Sequence, residues 1–263
     1  MNHSAVHVLY ENNHLLVINK PCGMPTMSAT DGSLTAYQWS VDYLRKRYDK
    51  PGKVFLGVVS RLDRVTSGVL LFARTSKAAS RMTIQFGGAG KNKNVPGKAK
   101  KLYLALVRGR AAEKLPETGE FVDQVYKDES SQRMRVLGQA DGARQSSSGS
   151  LQEARLQYHV LARREDQCLI AVRLLTGRKH QIRLQFSSRG FPLLGDQKYG
   201  SRAEFANGGN AIALHSWQLK CFHPTTQESM HFCADVPQSW PQLAKHVDET
   251  AKIKERLSQA LDW

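Results

Sequence analysis

One carboxylate in this chain occupies a position typical of a catalytic acid. Asp63 lies between Arg61 and Arg64 in the segment at residues 60–68, Ser-Arg-Leu-Asp-Arg-Val-Thr-Ser-Gly. Two valines before this segment predict a short strand, and the apolar run at residues 69–73 predicts a buried strand after it. Loops held by such strands often carry catalytic groups. The flanking guanidinium groups favour the ionised carboxylate, which is the form that acts as a nucleophile. The alternative interpretation is a solvated loop with local ion pairs.

A second charged block, at residues 175–183, has the sequence Leu-Thr-Gly-Arg-Lys-His-Gln-Ile-Arg. Thr176 and Gly177 predict the start of a helix that continues through residue 186. On such a helix His180 and Arg183 would share one face, because they are three residues apart. The basic residues of this block are candidates for substrate contacts, and plain phosphate binding is the alternative to a catalytic role.

Tyr103 is the third candidate, in the predicted strand Leu-Tyr-Leu-Ala-Leu-Val at residues 102–107. An aromatic ring suits stacking on a nucleic-acid base, and a phenol can take part in proton transfer. A tyrosine within a strand is also a common core residue, so this candidate depends on the other two.

Together these segments resemble the RNA pseudouridine synthases of the RluA type, whose usual motif is His-Arg-Leu-Asp followed by Thr-Ser-Gly. The resemblance extends from about residue 15 to residue 237 and includes the Asn-Lys-Pro-x-Gly-x-Pro pattern at residues 19–25. It implies that Asp63 is the catalytic residue, that Tyr103 stacks on the target base and that Arg183 pairs with the aspartate. Ser60 and Gln185 depart from the pattern, because relatives often carry histidine at these positions.

The resemblance also implies that RNA is the substrate. We predict that RNA is contacted by basic and polar residues of three segments: Arg61, Arg64, Thr66, Arg178, His180, Lys91, Lys93 and Lys98. The three lysines belong to a Gly- and Lys-rich stretch at residues 87–101, which predicts a basic loop along the RNA backbone. This stretch is not a phosphate-binding P-loop, because Gln85 replaces its first glycine and Asn92 its Ser or Thr. In the motif at residues 195–200, Asp196 and Tyr199 are predicted to be mainly structural.

Composition agrees with a nucleic-acid partner. The chain has 263 residues, and its 38 Lys and Arg against 23 Asp and Glu give a net charge of +15, which attracts polyanions. Apolar runs are too short to cross a bilayer, no secretory signal is evident, and four cysteines provide no disulfide framework. We therefore expect a cytoplasmic protein with no membrane association. No obligate protein partner is inferred, and the sequence is compatible with a monomer without fixing the oligomeric state.

The pattern of strands and helices predicts an α+β fold, with a mainly antiparallel mixed sheet flanked by helices and long loops. We expect a single domain over residues 1–263, with a mobile loop near 138–150 and a C-terminal helix from about 239. Ser33 is the predicted cap of the first helix, and Thr75 or Ser76 that of the second. The family's opening motif begins near the N-terminus, so no separate N-terminal RNA-binding domain is expected.

The implied reaction is the isomerisation of uridine to pseudouridine in ribosomal or transfer RNA, for which no cofactor and no metal are expected. A zinc site is the rival chemistry: Cys221, His223, His231 and Cys233 would meet in a hairpin centred on Gln227, whereas a shifted register would break the cluster. A non-catalytic RNA-binding or ribosome-assembly protein on the same scaffold is the alternative function. An aspartate-based phosphotransferase would need an acidic metal-binding cluster, and Asp63 has no acidic neighbour in sequence.

Overall fold

The structure, a computed structural model, describes residues 6–88, 96–138, 150–205 and 211–241, together with 257, 261 and 263. Residue contacts group the chain into two compact units, each built from two separate stretches. The first unit contains Met1–Lys101 and Leu214–Pro237, and the second contains Leu102–Ala213 and Gln238–Trp263. None of the helices in the described ranges has the length and apolar character needed to cross a membrane.

The described elements follow one another in this order: β1 (His7–Glu11), β2 (Leu15–Lys20), α1 (Ala36–Arg47), β3 (Gly57–Val58), β4 (Ser67–Ala73), α2 (Ser76–Gln85), β5 (Lys100–Arg108), α3 (Arg110–Lys114), β6 (Thr118–Asp128), β7 (Arg133–Val136), β8 (Gln152–Arg164), β9 (Gln167–Leu174), α4 (Gln181–Ser187), a 3₁₀ turn (Gln197–Tyr199), β10 (Leu214–Phe222) and β11 (Ser229–Cys233).

Strand β4 is the centre of the sheet in the first unit. Along one edge it pairs antiparallel with β2, and along the other it pairs in parallel with β10 and then antiparallel with β3. Gly68 lies where β4 and β10 approach most closely. Its φ is +111°, and a Cβ added there would lie 2.1 Å from the carbonyl oxygen of Ser216. This position therefore requires glycine, both for its backbone conformation and for the strand spacing.

The sheet of the second unit has the order β5-β9-β8-β6-β7. The pairs β8–β9, β6–β8 and β6–β7 are antiparallel. Helix α4 packs here through Phe186, whose ring lies 5.0 Å from that of Phe121 and 5.5 Å from that of Tyr158. The predicted α+β fold with mainly antiparallel strands is thus confirmed.

Several predicted element boundaries are confirmed, and others are wrong. Thr75 caps α2 by accepting a hydrogen bond from the backbone N–H of Ala78. Helix α1 is capped by Thr35 and not by Ser33, because Thr35 and Gln38 form a reciprocal capping box. Gln238 and Ser239 form a turn, so the C-terminal helix predicted from about residue 239 does not begin there, although Leu257 and Leu261 are helical.

The helix predicted from Thr176 begins only at Gln181. Its first residues are held instead as a loop, because the side-chain oxygen of Gln181 accepts hydrogen bonds from the Thr176 hydroxyl and the Arg178 backbone N–H, each 2.9 Å long. His180 has a left-handed backbone with φ of 55°, so it does not lie on a helix face with Arg183 as predicted.

Two predicted loops fall largely beyond the described residues. Residues 89–95, with Lys91 and Lys93, and residues 139–149 are outside the described ranges. Lys98 is exposed, and β5 begins at Lys100, so the last two residues of the predicted basic loop are strand. Strands β6 and β7 and helix α3 were not predicted from the sequence.

Candidate active site

The backbone that carries Asp63 is fastened on both sides to the segment that follows β2. Before Asp63, the Thr26 hydroxyl donates to the carbonyl oxygen of Leu62 at 2.8 Å and accepts from the Leu62 N–H at 3.1 Å. After it, the Gly23 N–H donates to the carbonyl oxygen of Arg64 at 2.8 Å. Asp63 itself is half-buried, and its carbonyl oxygen accepts from the Thr66 N–H at 3.0 Å, which closes a tight turn. The carboxylate is therefore presented by a rigid loop.

A fully buried ammonium group lies beneath this loop. Lys20 Nζ donates hydrogen bonds to the carbonyl oxygens of Met24 at 2.8 Å, Pro21 at 2.9 Å and Arg64 at 3.4 Å. Burial lowers the pKa of Lys20 to about 7, although the nearby charges of Cys22 and Asp63 favour its protonated form. Lys20 thus links the turn after β2 to the Asp63 loop through its hydrogen bonds and through the attraction between its charge and that of Asp63. Neither Lys20 nor Thr26 is among the site residues predicted from the sequence. The Asn-Lys-Pro pattern at residues 19–21 is a signal for Lys20, and Thr26 has none.

Arg64 forms three contacts within the first unit, and its contact with RNA stays a prediction. Its guanidinium group forms an ion pair with Asp31 at 2.7 Å, donates to the Ser33 hydroxyl at 2.9 Å and donates to the Gly23 carbonyl oxygen at 3.0 Å. Hydrogen bonds from Ser33 and from Arg64 hold the pKa of Asp31 well below its usual range. Arg64 therefore stabilises the loop by binding Asp31, whereas Arg61 is exposed beside Asp63.

Thr66 is buried, so its side chain is not on the surface of the loop. The next residue, Ser67, bonds to a buried histidine of β10: its hydroxyl lies 2.8 Å from His215 Nδ1. His215 Nε2 lies 3.1 Å from the carbonyl oxygen of Ala234, which fixes the tautomer with hydrogen on Nε2. Burial lowers the pKa of His215 to about 4. This neutral histidine ties the end of the Asp63 loop to the core.

In the second unit, Arg183 and Asp196 form a buried two-pronged ion pair. Arg183 Nε lies 2.7 Å from Asp196 Oδ2, and the second nitrogen that faces the carboxylate lies 2.8 Å from Oδ1. The side chains are only 6% and 1% exposed. Such parallel hydrogen bonds fix the plane of the guanidinium group. Asp196, predicted to be mainly structural, is thus the residue that orients Arg183. The pairing of Arg183 with Asp63 stays a prediction.

Tyr199 contacts both His180 and Arg183. The guanidinium carbon of Arg183 lies 5.1 Å from the ring centroid, and the Tyr199 hydroxyl lies 2.8 Å from His180 Nδ1. His180 has a left-handed backbone, and its ring forms this hydrogen bond with the Tyr199 hydroxyl. A position on a helix did not predict this contact.

Tyr103, on β5, is buried with 8% exposure.

Gln185 is not available to a substrate in this structure. It is completely buried, accepts from the Gln181 side chain at 3.0 Å and donates to Asp123 at 2.7 Å. Asp123 in turn receives two hydrogen bonds from Arg189, 2.9 and 3.0 Å long. Gln185, which departs from the family pattern, is therefore part of a polar network within the second unit. Arg178 lies at the outer end of this region, where its Nε donates to the Glu153 carbonyl oxygen at 2.8 Å.

The rival zinc cluster is not formed. The hairpin of β10 and β11 pairs Cys221 with Met230 and Gln218 with Cys233, a register that separates the proposed ligands. Cys221 is buried in the apolar core with Phe232, whereas Cys233 is exposed. Burial raises the pKa of the Cys221 thiol to about 12. Within the described ranges no group of three His, Cys, Asp or Glu side chains is arranged to hold a metal ion.

Comparison with known proteins shows which family this chain resembles. Residues 14–188 match the model of a family described as RNA pseudouridylate synthase. The tRNA pseudouridine synthase C of Pasteurella multocida is 34% identical, over 93% of this chain and 97% of that protein. The ribosomal large subunit pseudouridine synthase C of Escherichia coli is 32% identical, over 88% of this chain and 66% of that protein. The solved structure of human RNA pseudouridylate synthase domain containing 4 has a similar fold, with a TM-score of 0.63 and 22% identity over 88% of this chain and 89% of that one.

Proposed function

The chain belongs to the RNA pseudouridylate synthase family, and we propose that it converts uridine to pseudouridine in ribosomal or transfer RNA, with Asp63 as its catalytic carboxylate. Enzymes of this family are isomerases that act on RNA. The relatives named above act on transfer RNA and on the ribosomal large subunit, so both kinds of RNA are candidate substrates.

The observation that carries the proposal is the way the Asp63 loop is held. Hydrogen bonds from Thr26 and Gly23 fix the backbone on both sides of the carboxylate, and the buried Lys20 ammonium supports it from below. A fixed backbone on both sides of Asp63 narrows the positions that its carboxylate can reach, which favours catalysis by positioning. A merely solvated loop would not need a buried cation at its base.

The reaction begins with extrusion of the target uridine, which costs a few kcal/mol of stacking energy. The bond between the sugar and N1 of the base then breaks, the uracil turns, and a new bond joins the sugar to carbon 5. Carbon 5 loses its proton and N1 gains one, so atoms and charge balance without a redox step. Asp63 acts on the nucleoside as a nucleophile or as a base toward a sugar proton.

The other predicted residues have supporting roles in this proposal. Tyr103 stacks on the uracil, and its phenol can relay the proton from carbon 5 by releasing its own hydroxyl proton to water. Arg183, oriented by Asp196, supplies positive charge to the reacting centre. Residues proposed to contact RNA are Arg61, Arg178, His180 and Lys98. Arg64, Thr66, Lys91 and Lys93 stay sequence-based predictions, because Arg64 is bound to Asp31, Thr66 is buried, and the two lysines lie outside the described residues. The net charge of +15 favours these phosphate contacts and predicts that RNA affinity falls steeply with salt.

The test is tritium release from transcripts of ribosomal and transfer RNA that carry tritium at carbon 5 of uridine. Isomerisation frees this atom to water, so the purified protein should release tritium in proportion to pseudouridine formed, with no added metal or cofactor. Sequencing of the modified transcript then identifies the position. Tight RNA binding without tritium release from any transcript would contradict the proposal and favour the non-catalytic RNA-binding alternative.

A further inference from the structure

A cavity of about 560 Å³ opens beside the Asp63 loop within the first unit. Its walls come from the segment after β2, helix α1, β3 and the first residues of the loop. The apolar part of the lining is formed by Met27, Leu56, Val58 and Val59. The polar part is formed by Tyr37, Ser60 and Arg61. The cavity is open to solvent, with the exposed side chains of Met27 and Arg61 at its rim, and its volume is within the range of ligand-binding clefts.

The polar groups on this wall are not used by the fold. The hydroxyls of Tyr37 and Ser60 and the guanidinium group of Arg61 have no hydrogen bond or ion pair with any part of the chain that the structure describes. Arg64, three residues further along the same loop, is by contrast fully engaged with Asp31 and Ser33. These three polar side chains are therefore available to a ligand in the cavity.

The wall of the cavity is also fixed in position. The backbone N–H of Tyr37 donates to the carbonyl oxygen of Thr26 at 3.0 Å, which holds the first turn of α1 against the residue preceding Met27. Thr26 is the same residue whose hydroxyl binds Leu62 in the Asp63 loop. The cavity and the carboxylate therefore share one rigid support.

We propose that this cavity binds the base of an RNA nucleotide next to the target uridine, and that it thereby selects the sequence around that uridine. The inference rests on the proposed function of Asp63. Arg61 and Ser60 precede Asp63 by two and three residues, a reach of about 7 to 11 Å along the chain. A base attached one phosphate away from an extruded uridine lies within this range.

The lining suits a base better than an apolar ligand. Tyr37 offers an aromatic ring for stacking, Met27 offers a polarisable thioether, and the base edge can bond to the hydroxyls of Tyr37 and Ser60. Arg61 at the rim can pair with the adjoining phosphate.

The test uses Met27→Trp, which fills the cavity, and Phe55→Trp as its matched control. Met27 is 42% exposed and Phe55 is 51% exposed, so both variants should fold, and only Met27 lines the cavity. Substrates are stem-loop RNAs that carry the target uridine with both neighbours intact, or with the base of one neighbour removed. The measurements are kcat and KM from tritium release, together with the Kd of each RNA from fluorescence anisotropy.

For the wild-type protein, removal of the base that occupies the cavity should raise KM and Kd by about 10-fold, with kcat within about 2-fold. Met27→Trp should raise both constants by a similar factor on intact RNA and should show no further loss on the RNA without that base. Phe55→Trp should behave as wild type. The inference is overturned if Met27→Trp matches Phe55→Trp, or if neither abasic RNA differs in Kd from intact RNA. Absence of tritium release with the Kd pattern retained would instead overturn the proposed function and leave the base-binding cavity supported.

Discussion

The buried ion pair between Arg183 and Asp196 allows a quantitative prediction for Asp196→Asn. The amide keeps the shape of the side chain but removes the charge that faces the guanidinium group. Charges about 4 Å apart attract by about 4 kcal/mol at an effective dielectric constant of 20. Removing one member of a buried pair costs about 3–5 kcal/mol, because the other charge stays desolvated. Since asparagine can still accept one hydrogen bond, we expect a loss of about 3 kcal/mol in the free energy of unfolding.

The assay is urea unfolding at pH 7, followed by circular dichroism. The matched control is Asp166→Asn, in which the same substitution removes a similar contact: Arg108 Nε lies 2.9 Å from Asp166 Oδ2, but the side chains are 45% and 41% exposed. An exposed pair contributes about 0–1 kcal/mol, so the control should lose no more than that. Equal losses for the two variants would refute the argument that burial makes the Arg183 pair strong.

Two further predictions concern the Asp63 loop and its support. Thr26→Val removes the hydroxyl that forms two hydrogen bonds with the Leu62 backbone. It should lower kcat while the Kd for RNA stays within about 2-fold of wild type. A change in Kd without a change in kcat would count against a positioning role. His215 is kept neutral by burial, with its pKa lowered from 6.5 to about 4. Between these pH values the imidazole binds a proton in the unfolded chain but not in the folded chain. The contribution of His215 to the free energy of unfolding is therefore fully present above pH 6.5 and falls by roughly 3 kcal/mol as the pH drops to 4. His215→Gln should flatten this part of the pH dependence of urea unfolding, and an unchanged slope would contradict the assignment.

Much of the local structure could be predicted because it depends on neighbours in sequence. Apolar runs identified β2, β4 and β5, and the hydroxyl of Thr75 identified the start of α2. The cap of α1 was assigned to Ser33, although the Thr-x-x-Gln spacing from Thr35 to Gln38 is the signature of a capping box. Strand β6 was missed because its buried residues do not alternate regularly, so no period of two is visible.

The features that the sequence did not show depend on contacts between distant residues. Asp196 lies 13 residues from Arg183, and nothing local indicates that the two side chains pair. His180 adopts a left-handed backbone that is unusual for a residue with a Cβ, and its ring bonds to Tyr199. Lys20 occurs within an apolar strand, where its burial under the Asp63 loop follows only from the packing of the first unit.

The central claim is that the Asp63 carboxylate performs the reaction, and Asp63→Ala tests it most directly. Tritium release from the RNA identified as substrate should fall by at least about 100-fold. The Kd for that RNA should stay within about 3-fold of wild type, because phosphate contacts supply most of the affinity. Retention of turnover by the folded Asp63→Ala protein would contradict the account.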